Sequence, residues 1–277
     1  MALYKGSKSD NTITGSLGDD DILGKNGDDY LYGSTGNDFI NGGGGDDFLF
    51  GEDGDDELVG GKGDDTMDGG LGSDIFRGGK GLDTVDYSAS TTGVMAYLDT
   101  DQSGYGASGD SYLQVENVIG SAFEDLLQNS GGGDAFGGAG ADVLYGGGSL
   151  GSTEEGGRLR GDAGYDTLQM AYGNTTAWLQ NGQGYDTIEQ FIENEDNFFI
   201  DLSDFGLGNT FDVNELVNSN SVTAIGNNAQ FIYDGDDARL YFDANGSDAG
   251  GLSLIADIEN STVFNGTLDL GDFEFRA

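Results

Sequence analysis

Aspartate recurs at every ninth residue through the first part of this chain, at Asp20, Asp29, Asp38, Asp47, Asp56, Asp65, Asp74 and Asp83, with Asn11 heading the series. Carboxylates repeated at that density suit one kind of chemistry, the binding of hard cations through oxygen. Composition narrows the alternatives. The 277 residues include 51 acidic and 10 basic side chains, for a formal charge of −41, and no His, Cys or Pro. Without Cys there is no disulfide, thiolate nucleophile or Cys-ligated zinc, and without His there is no Ser-His-Asp triad or His-ligated zinc. Nucleic acid and anionic lipid are poor partners, because phosphate contacts need clustered Lys and Arg. Paired-carboxylate hydrolysis is the main enzymatic route left. It needs a carboxyl of raised pKa in an apolar cleft, whereas cation-bound carboxylates stay ionised, so the chain is expected not to be an enzyme.

The elements that must position these carboxylates follow from the same period. Nine units run without a register slip from Gly6 to Asp86. The first position is Gly6, Gly15, Gly24, Gly33, Gly42, Gly51, Gly60, Gly69 and Gly78, and the fourth is Gly in every unit but the one holding Ser9. These glycines permit a tight loop with positive φ and let carbonyls turn towards one point. The eighth position is always large and apolar: Ile13, Ile22, Leu31, Ile40, Leu49, Leu58, Met67, Phe76 and Val85. The three residues after each Asp therefore form a short strand whose middle residue points inward. Two units make one turn of an all-β, right-handed parallel β-roll, and only a stack of turns buries the core. Residues 18 apart then lie roughly 4.8 Å apart on adjacent turns. Asp20, Asp38, Asp56 and Asp74 line one edge, and Asn11, Asp29, Asp47, Asp65 and Asp83 the other. Like charges so close need counterions. Ca²⁺, with six to eight oxygen ligands, tolerates a mixed carboxylate and carbonyl shell, and neighbouring pairs give about seven sites.

The units, GGGGDDFLF and GGKGDDTMD among them (Gly42 to Asp68), resemble the RTX (repeats-in-toxin, haemolysin-type) nonapeptide GGxGxDxUx. That resemblance implies a calcium-binding β-roll and export by a type I secretion machine. Only five residues precede the first repeat, so the chain resembles a stand-alone RTX protein without an N-terminal effector module. Residues 1–86 are expected to form the first roll and 87–119 spacer strands. Residues 120–189 form a second, degenerate block with an insertion at 149–157. There Asp125, Asp134, Asp142, Asp166 and Asp186 hold the sixth position, with one or two further Ca²⁺ sites expected. Residues 190–277 are expected to be a C-terminal β cap whose last residues, around Asp272, Phe273, Glu274 and Phe275, are similar to a type I secretion signal.

Functionally, the chain is expected to be a secreted, extracellular calcium-binding protein that stays open where calcium is scarce and folds on Ca²⁺ after passing the type I exporter. No N-terminal signal peptide is visible, since Met1 to Gly15 lacks an apolar core, and no apolar run reaches the length of a membrane helix. Outward neighbours of the apolar position, Tyr30, Tyr32, Phe48 and Phe50, are expected to form an aromatic patch for an extracellular polysaccharide or a cell surface. Trp178, the single tryptophan, is expected in the core or cap. Two alternatives rest on resemblance: a membrane-active factor of the haemolysin or nodulation-protein kind, and an accessory module for an extracellular polysaccharide enzyme.

Overall fold

The structure is a computed structural model that describes residues 1–98, 104–105, 109–130, 132–146, 155–170, 174–180, 184–190, 196–201, 205, 216–219, 230–234, 238–243, 252–259 and 273–276. Among them the regular elements are all strands. The repeats supply β1 (Ala2–Lys5), β2 (Thr12–Thr14), β3 (Asp20–Leu23), β4 (Tyr30–Thr35), β5 (Phe39–Asn41), β6 (Phe48–Asp53), β7 (Glu57–Lys62), β8 (Thr66–Asp68), β9 (Ile75–Lys80) and β10 (Thr84–Asp86). Odd and even strands go to opposite walls, in the orders β1-β3-β5-β7-β9 and β2-β4-β6-β8-β10. All of these pairings are parallel and each is displaced by 18 residues, as in Ile22↔Ile40 and Leu31↔Leu49. This is a parallel β-roll. The eighth-position side chains from Ile22 to Val85 are wholly buried and stack between the walls. Each such aliphatic residue contributes about 1.5–3 kcal/mol by burial, a gain no isolated turn could realise.

The segment after Asp86 is distributed among three walls instead of forming a layer of its own. β11 (Met95–Tyr97) opens a new sheet, and β12 (Gly104–Tyr105) and β13 (Ser111–Leu113) end the odd-numbered wall, with β13 parallel to β9. β14 (Asn117–Ile119) continues the even-numbered wall beside β10. The even wall is therefore a spine that runs on through the molecule, while the wall facing it changes. Phe76, Tyr87 and Tyr112 fill the changeover: Phe76 stacks on Tyr112 with centroids 5.6 Å apart and meets Tyr87 edge-on at 6.4 Å.

Beyond the changeover come β15 (Leu126–Gln128), β16 (Asp134–Phe136), β17 (Ala139–Gly140), β18 (Val143–Tyr145), β19 (Glu155–Arg160), β20 (Ala163–Gly164), β21 (Thr167–Gln169), β22 (Asn174–Leu179) and β23 (Asp186–Glu189). The last elements are β24 (Asn197–Asp201), β25 (Leu216–Ser219), β26 (Gln230–Asp234), β27 (Arg239–Asp243), β28 (Leu252–Glu259) and β29 (Phe273–Arg276). The spine continues β14-β16-β19-β22-β24-β29, and the new facing wall runs β11-β15-β18-β21-β23-β28-β27-β26-β25. The 190–277 segment thus extends both walls: β28 and β29 join them in parallel, an antiparallel run β28-β27-β26 continues the facing wall, and β25, parallel to β26, ends it. Phe205, Phe231 and Phe242, with centroids 4.9–5.2 Å apart, form its core. Asp272 and most of the 149–157 insertion lie outside the described residues.

Candidate metal centre

Each sixth-position aspartate from Asp20 to Asp83 sits at the bend between a glycine loop and a strand, and each is buried. From Asp38 to Asp83 the Oδ1 accepts the backbone N–H of the aspartate 18 residues earlier, and in Asp20 and Asp29 it accepts those of Ala2 and Asn11. Asp20 donates to Asp38, Asp29 to Asp47, Asp38 to Asp56, Asp47 to Asp65, Asp56 to Asp74 and Asp65 to Asp83, at 2.7–2.9 Å. The two expected edges are thus two hydrogen-bonded ladders. Oδ2 is left over: in Asp29, Asp38, Asp47, Asp56, Asp65, Asp83, Asp142 and Asp166 it is buried with no hydrogen-bond partner. A row of unpartnered anionic oxygens is costly without a positive charge to face.

The glycines show where that charge would sit. A methyl group on Gly24 would lie 2.4 Å from Asp29 Oδ2 and 2.7 Å from the Gly42 carbonyl oxygen of the next turn. Gly33 repeats the cradle with Asp38 Oδ2 and the Gly51 carbonyl at 2.4 and 2.7 Å, and Gly51 with Asp56 Oδ2 and the Gly69 carbonyl at 2.3 and 2.6 Å. Carboxylate and carbonyl therefore converge on one point between adjacent loops. Among the described residues no group of three or more acidic side chains gathers around a single point. A cation held here takes one carboxylate per loop and completes its shell with backbone oxygens, a donor set that fits Ca²⁺ better than Mg²⁺.

Proton affinities tell the same story. Burial, ahead of repulsion from neighbouring aspartates, pushes Asp47, Asp56 and Asp83 up to about 6 and Asp65, Asp74 and Asp142 up to about 7. Without a cation these carboxyls tend towards the protonated form; a bound divalent ion reverses that preference. The exceptions are local. Asp20 Oδ2 accepts the Ser16 N–H at 2.6 Å and the Ser16 hydroxyl at 2.8 Å, which holds its pKa below the usual value. Asn11 and Asp125 likewise accept the N–H groups of Ser7 and Ser121.

In the second block Asp125, Asp142, Asp166 and Asp186 form a single ladder, Asp125 N–H to Asp142, Asp142 to Asp166 and Asp166 to Asp186, at 2.8, 2.9 and 3.3 Å. Asp134 departs from its expected place. It stands in β16 in register with Asn117, one position into the strand, and faces outward in an ion pair with Arg158. The omission of one loop residue before it moves it off the edge, and Gly133 lies beside Glu116 where an aspartate would be.

Three sets of residues escaped the periodic reading. Asp110 extends the first ladder by accepting the Asp74 N–H at 2.9 Å, and its Oδ2 accepts the Tyr87 hydroxyl at 2.8 Å. Asp196 accepts the Thr175 N–H at 3.0 Å. Fifth-position residues form outer ladders running the opposite way, such as Asp28 N–H to Asp10 and Asp46 N–H to Asp28 at 3.0 and 2.9 Å; their recurrence beside the sixth position was the available signal. The aromatic residues fall on the outer face of the spine, where Tyr30 stacks on Phe48 and Tyr32 on Phe50, each with centroids 4.8 Å apart. Trp178 is on the same outer face, not in the core: it meets Phe199 edge-on at 4.6 Å and lies under the guanidinium of Arg160 at 5.1 Å.

Comparison with known proteins agrees with this geometry. Residues 4–31, 23–58, 50–85 and 129–149 match the RTX calcium-binding nonapeptide repeat, in four copies. The repeats are thus RTX calcium-binding repeats. No curated protein matches the chain. Among solved structures, the extracellular lipase LipA from Serratia marcescens is 18% identical, with 88% of this chain covered, 39% of the lipase and a TM-score of 0.33. The AlgE6R3 subunit of the Azotobacter vinelandii mannuronan C5-epimerase is also 18% identical, with coverage of 97% and 80% and a TM-score of 0.18. The chain spans well under half the length of the lipase.

Proposed function

We propose that this RTX calcium-binding repeat protein is an exported, non-catalytic factor that folds when it meets Ca²⁺ outside the cell and then binds an extracellular surface. The observation that carries the reading is the row of buried Oδ2 atoms, each unpartnered and beside a glycine cradle. With a charge of −41, the metal-free chain repels itself, and metal binding is then folding free energy. A type I exporter that passes unfolded chain, followed by a calcium-rich exterior, gives that coupling a use. Titration of Ca²⁺ into metal-free protein, followed by far-UV circular dichroism and Trp178 fluorescence with Mg²⁺ as control, tests it. A cooperative gain of β structure at roughly 10⁻⁴ to 10⁻³ M Ca²⁺ is expected. A chain already folded without calcium, and unchanged by it, overturns the mechanism.

The surface-binding part rests on Tyr30, Tyr32, Phe48 and Phe50. Because each pair is nearly coplanar, at 10° and 7°, one face of every ring is taken by its partner. Tyr30 and Phe48 line, with the exposed carboxylates of Asp10, Asp28 and Asp46, a cavity of about 540 Å³ open to a polysaccharide or cell-surface ligand. Changing all four rings to Ser should abolish binding to the target surface while leaving calcium-induced folding in place; retained binding would sink this part alone.

A further inference from the structure

We infer that the segment after the repeats builds one more Ca²⁺ site, from Asp83, the Gln114 carbonyl and Glu116, where no nonapeptide exists. The inference rests on the calcium reading of the ladders and extends it to residues outside the repeat pattern. Asp83 is wholly buried and its Oδ2 has no hydrogen-bond partner. In the repeats, such an oxygen faces the carbonyl of the first-position glycine on the next turn. Here the next turn is not a repeat, yet a methyl group on Gly78 would lie 2.4 Å from Asp83 Oδ2 and 2.0 Å from the Gln114 carbonyl oxygen.

Three backbone relations give Gln114 and Glu116 the roles of the first-position Gly and the sixth-position Asp. A second-position N–H donates to the first-position carbonyl of the next turn in Lys25 to Gly42 and Gly43 to Gly60, both at 2.8 Å, and Gly79 N–H donates to the Gln114 carbonyl at 3.2 Å. The sixth-position N–H donates to the following carboxylate, and Asp83 N–H donates to Glu116 Oε2 at 3.0 Å. The seventh-position N–H donates to the sixth-position carbonyl of the turn before, as Thr84 does to Asp65, and Asn117 N–H donates to the Asp83 carbonyl at 2.9 Å. The loop itself is far shorter. A repeat places four residues between Gly and Asp, whereas only the buried Val115 separates Gln114 from Glu116. Gln114 takes φ of 54°, a left-handed conformation uncommon outside glycine, which turns its carbonyl to the site. The additional methylene of Glu, about one 1.5 Å bond, offsets the shortened loop. A site of this kind joins the last repeat to β14 of the spine.

Calcium stoichiometry of the full chain, counted by native mass spectrometry and by calorimetric titration, tests this. Glu116→Gln should bind one Ca²⁺ fewer than the wild type, and Glu116→Asp, which keeps the charge but loses the reach, should weaken one site by roughly tenfold. Asp47→Asn, in the repeats, is the reference for losing a ladder site. Wild-type counts in both Glu116 variants, alongside a reduced count in Asp47→Asn, overturn this site alone. A wild type that binds no Ca²⁺ overturns it together with the calcium reading beneath it.

Discussion

The two blocks of repeats differ in how they treat their edges. In the first, both edges carry carboxylate ladders whose rungs are 18 residues apart without exception. In the second, one edge keeps a ladder with steps of 17, 24 and 20 residues, and the other runs through Glu116, Gly133 and Gly157. Strand register survives this irregularity: Leu127, Leu144, Leu168 and Ile188 stack in line and are wholly buried. The core therefore sets the fold of both blocks, and the carboxylate edges keep a strict spacing only in the first. Extra residues are accommodated in the loops, because a parallel pairing constrains the strands and not the path between them.

Calcium removal should separate the blocks most clearly. Chelation at neutral pH, read by hydrogen exchange, should lower amide protection across residues 20–86 on the order of 100-fold, and less across 120–189. Equal loss in both would show that the shared spine, not the edge chemistry, controls folding. Next in size are the glycine stacks. A methyl on Gly54 would lie 1.8 Å from the Gly36 carbonyl oxygen, and one on Gly164 1.6 Å from that of Gly140, so Gly54→Ala and Gly164→Ala should each cost about 3 kcal/mol in denaturant unfolding. Gly18, with open space around it, should tolerate Ala. A large cost at Gly54 but not at Gly164 would mean that the second block can part its turns.

Acid should act partly in place of metal. Carboxyls with raised folded-state pKa favour the folded chain when protonated, so their support is complete below the ordinary carboxylate range and is lost as pH rises through about 6 to 7. Metal-free protein should therefore gain β structure, seen by circular dichroism, as pH falls from 8 to 5, more in the doubly laddered block than in the other. The smallest effect concerns second-position residues held at positive φ: Lys25 at 93°, Ser34 at 83° and Glu52 at 72°. Each change to Gly should raise stability by about 0.5–1 kcal/mol. Asp162→Gly in the second block, at 67°, also breaks the ion pair with Arg160, and its thermal midpoint should rise less.

Much of this was legible in the sequence. A period that fixes Gly, Asp and an aliphatic residue together specifies loop, edge and core at once, which is why Ile22 to Val85 and both ladders fall where the spacing puts them. The changeover was not legible, because β11, β13 and β14 share no period with the repeats and find their walls by pairing with distant strands. Asp134 misled because a motif with one residue missing still ends in Gly-Asp, while the strand pairing shifts that Asp outward. Asp110 and Glu116 were hidden for the converse reason: they occupy ladder positions reached through loops of other lengths. Trp178 was expected in the core or cap, but the spine's outer face offers Arg160 and Phe199 as cover.

Alternate strands of the first roll belong to opposite walls, and this gives the gene a grammar of permitted lengths. Excising Gly42–Val59 removes one complete turn and returns every later strand to its own wall. Excising only Gly42–Phe50 joins the odd strands before the cut to the even strands after it, so that β1-β3-β5 would lead into β8-β10-β14 and the spine would exchange its first strands. Only an even number of repeats therefore keeps every remaining strand on its own wall, although each repeat, taken singly, looks like the unit.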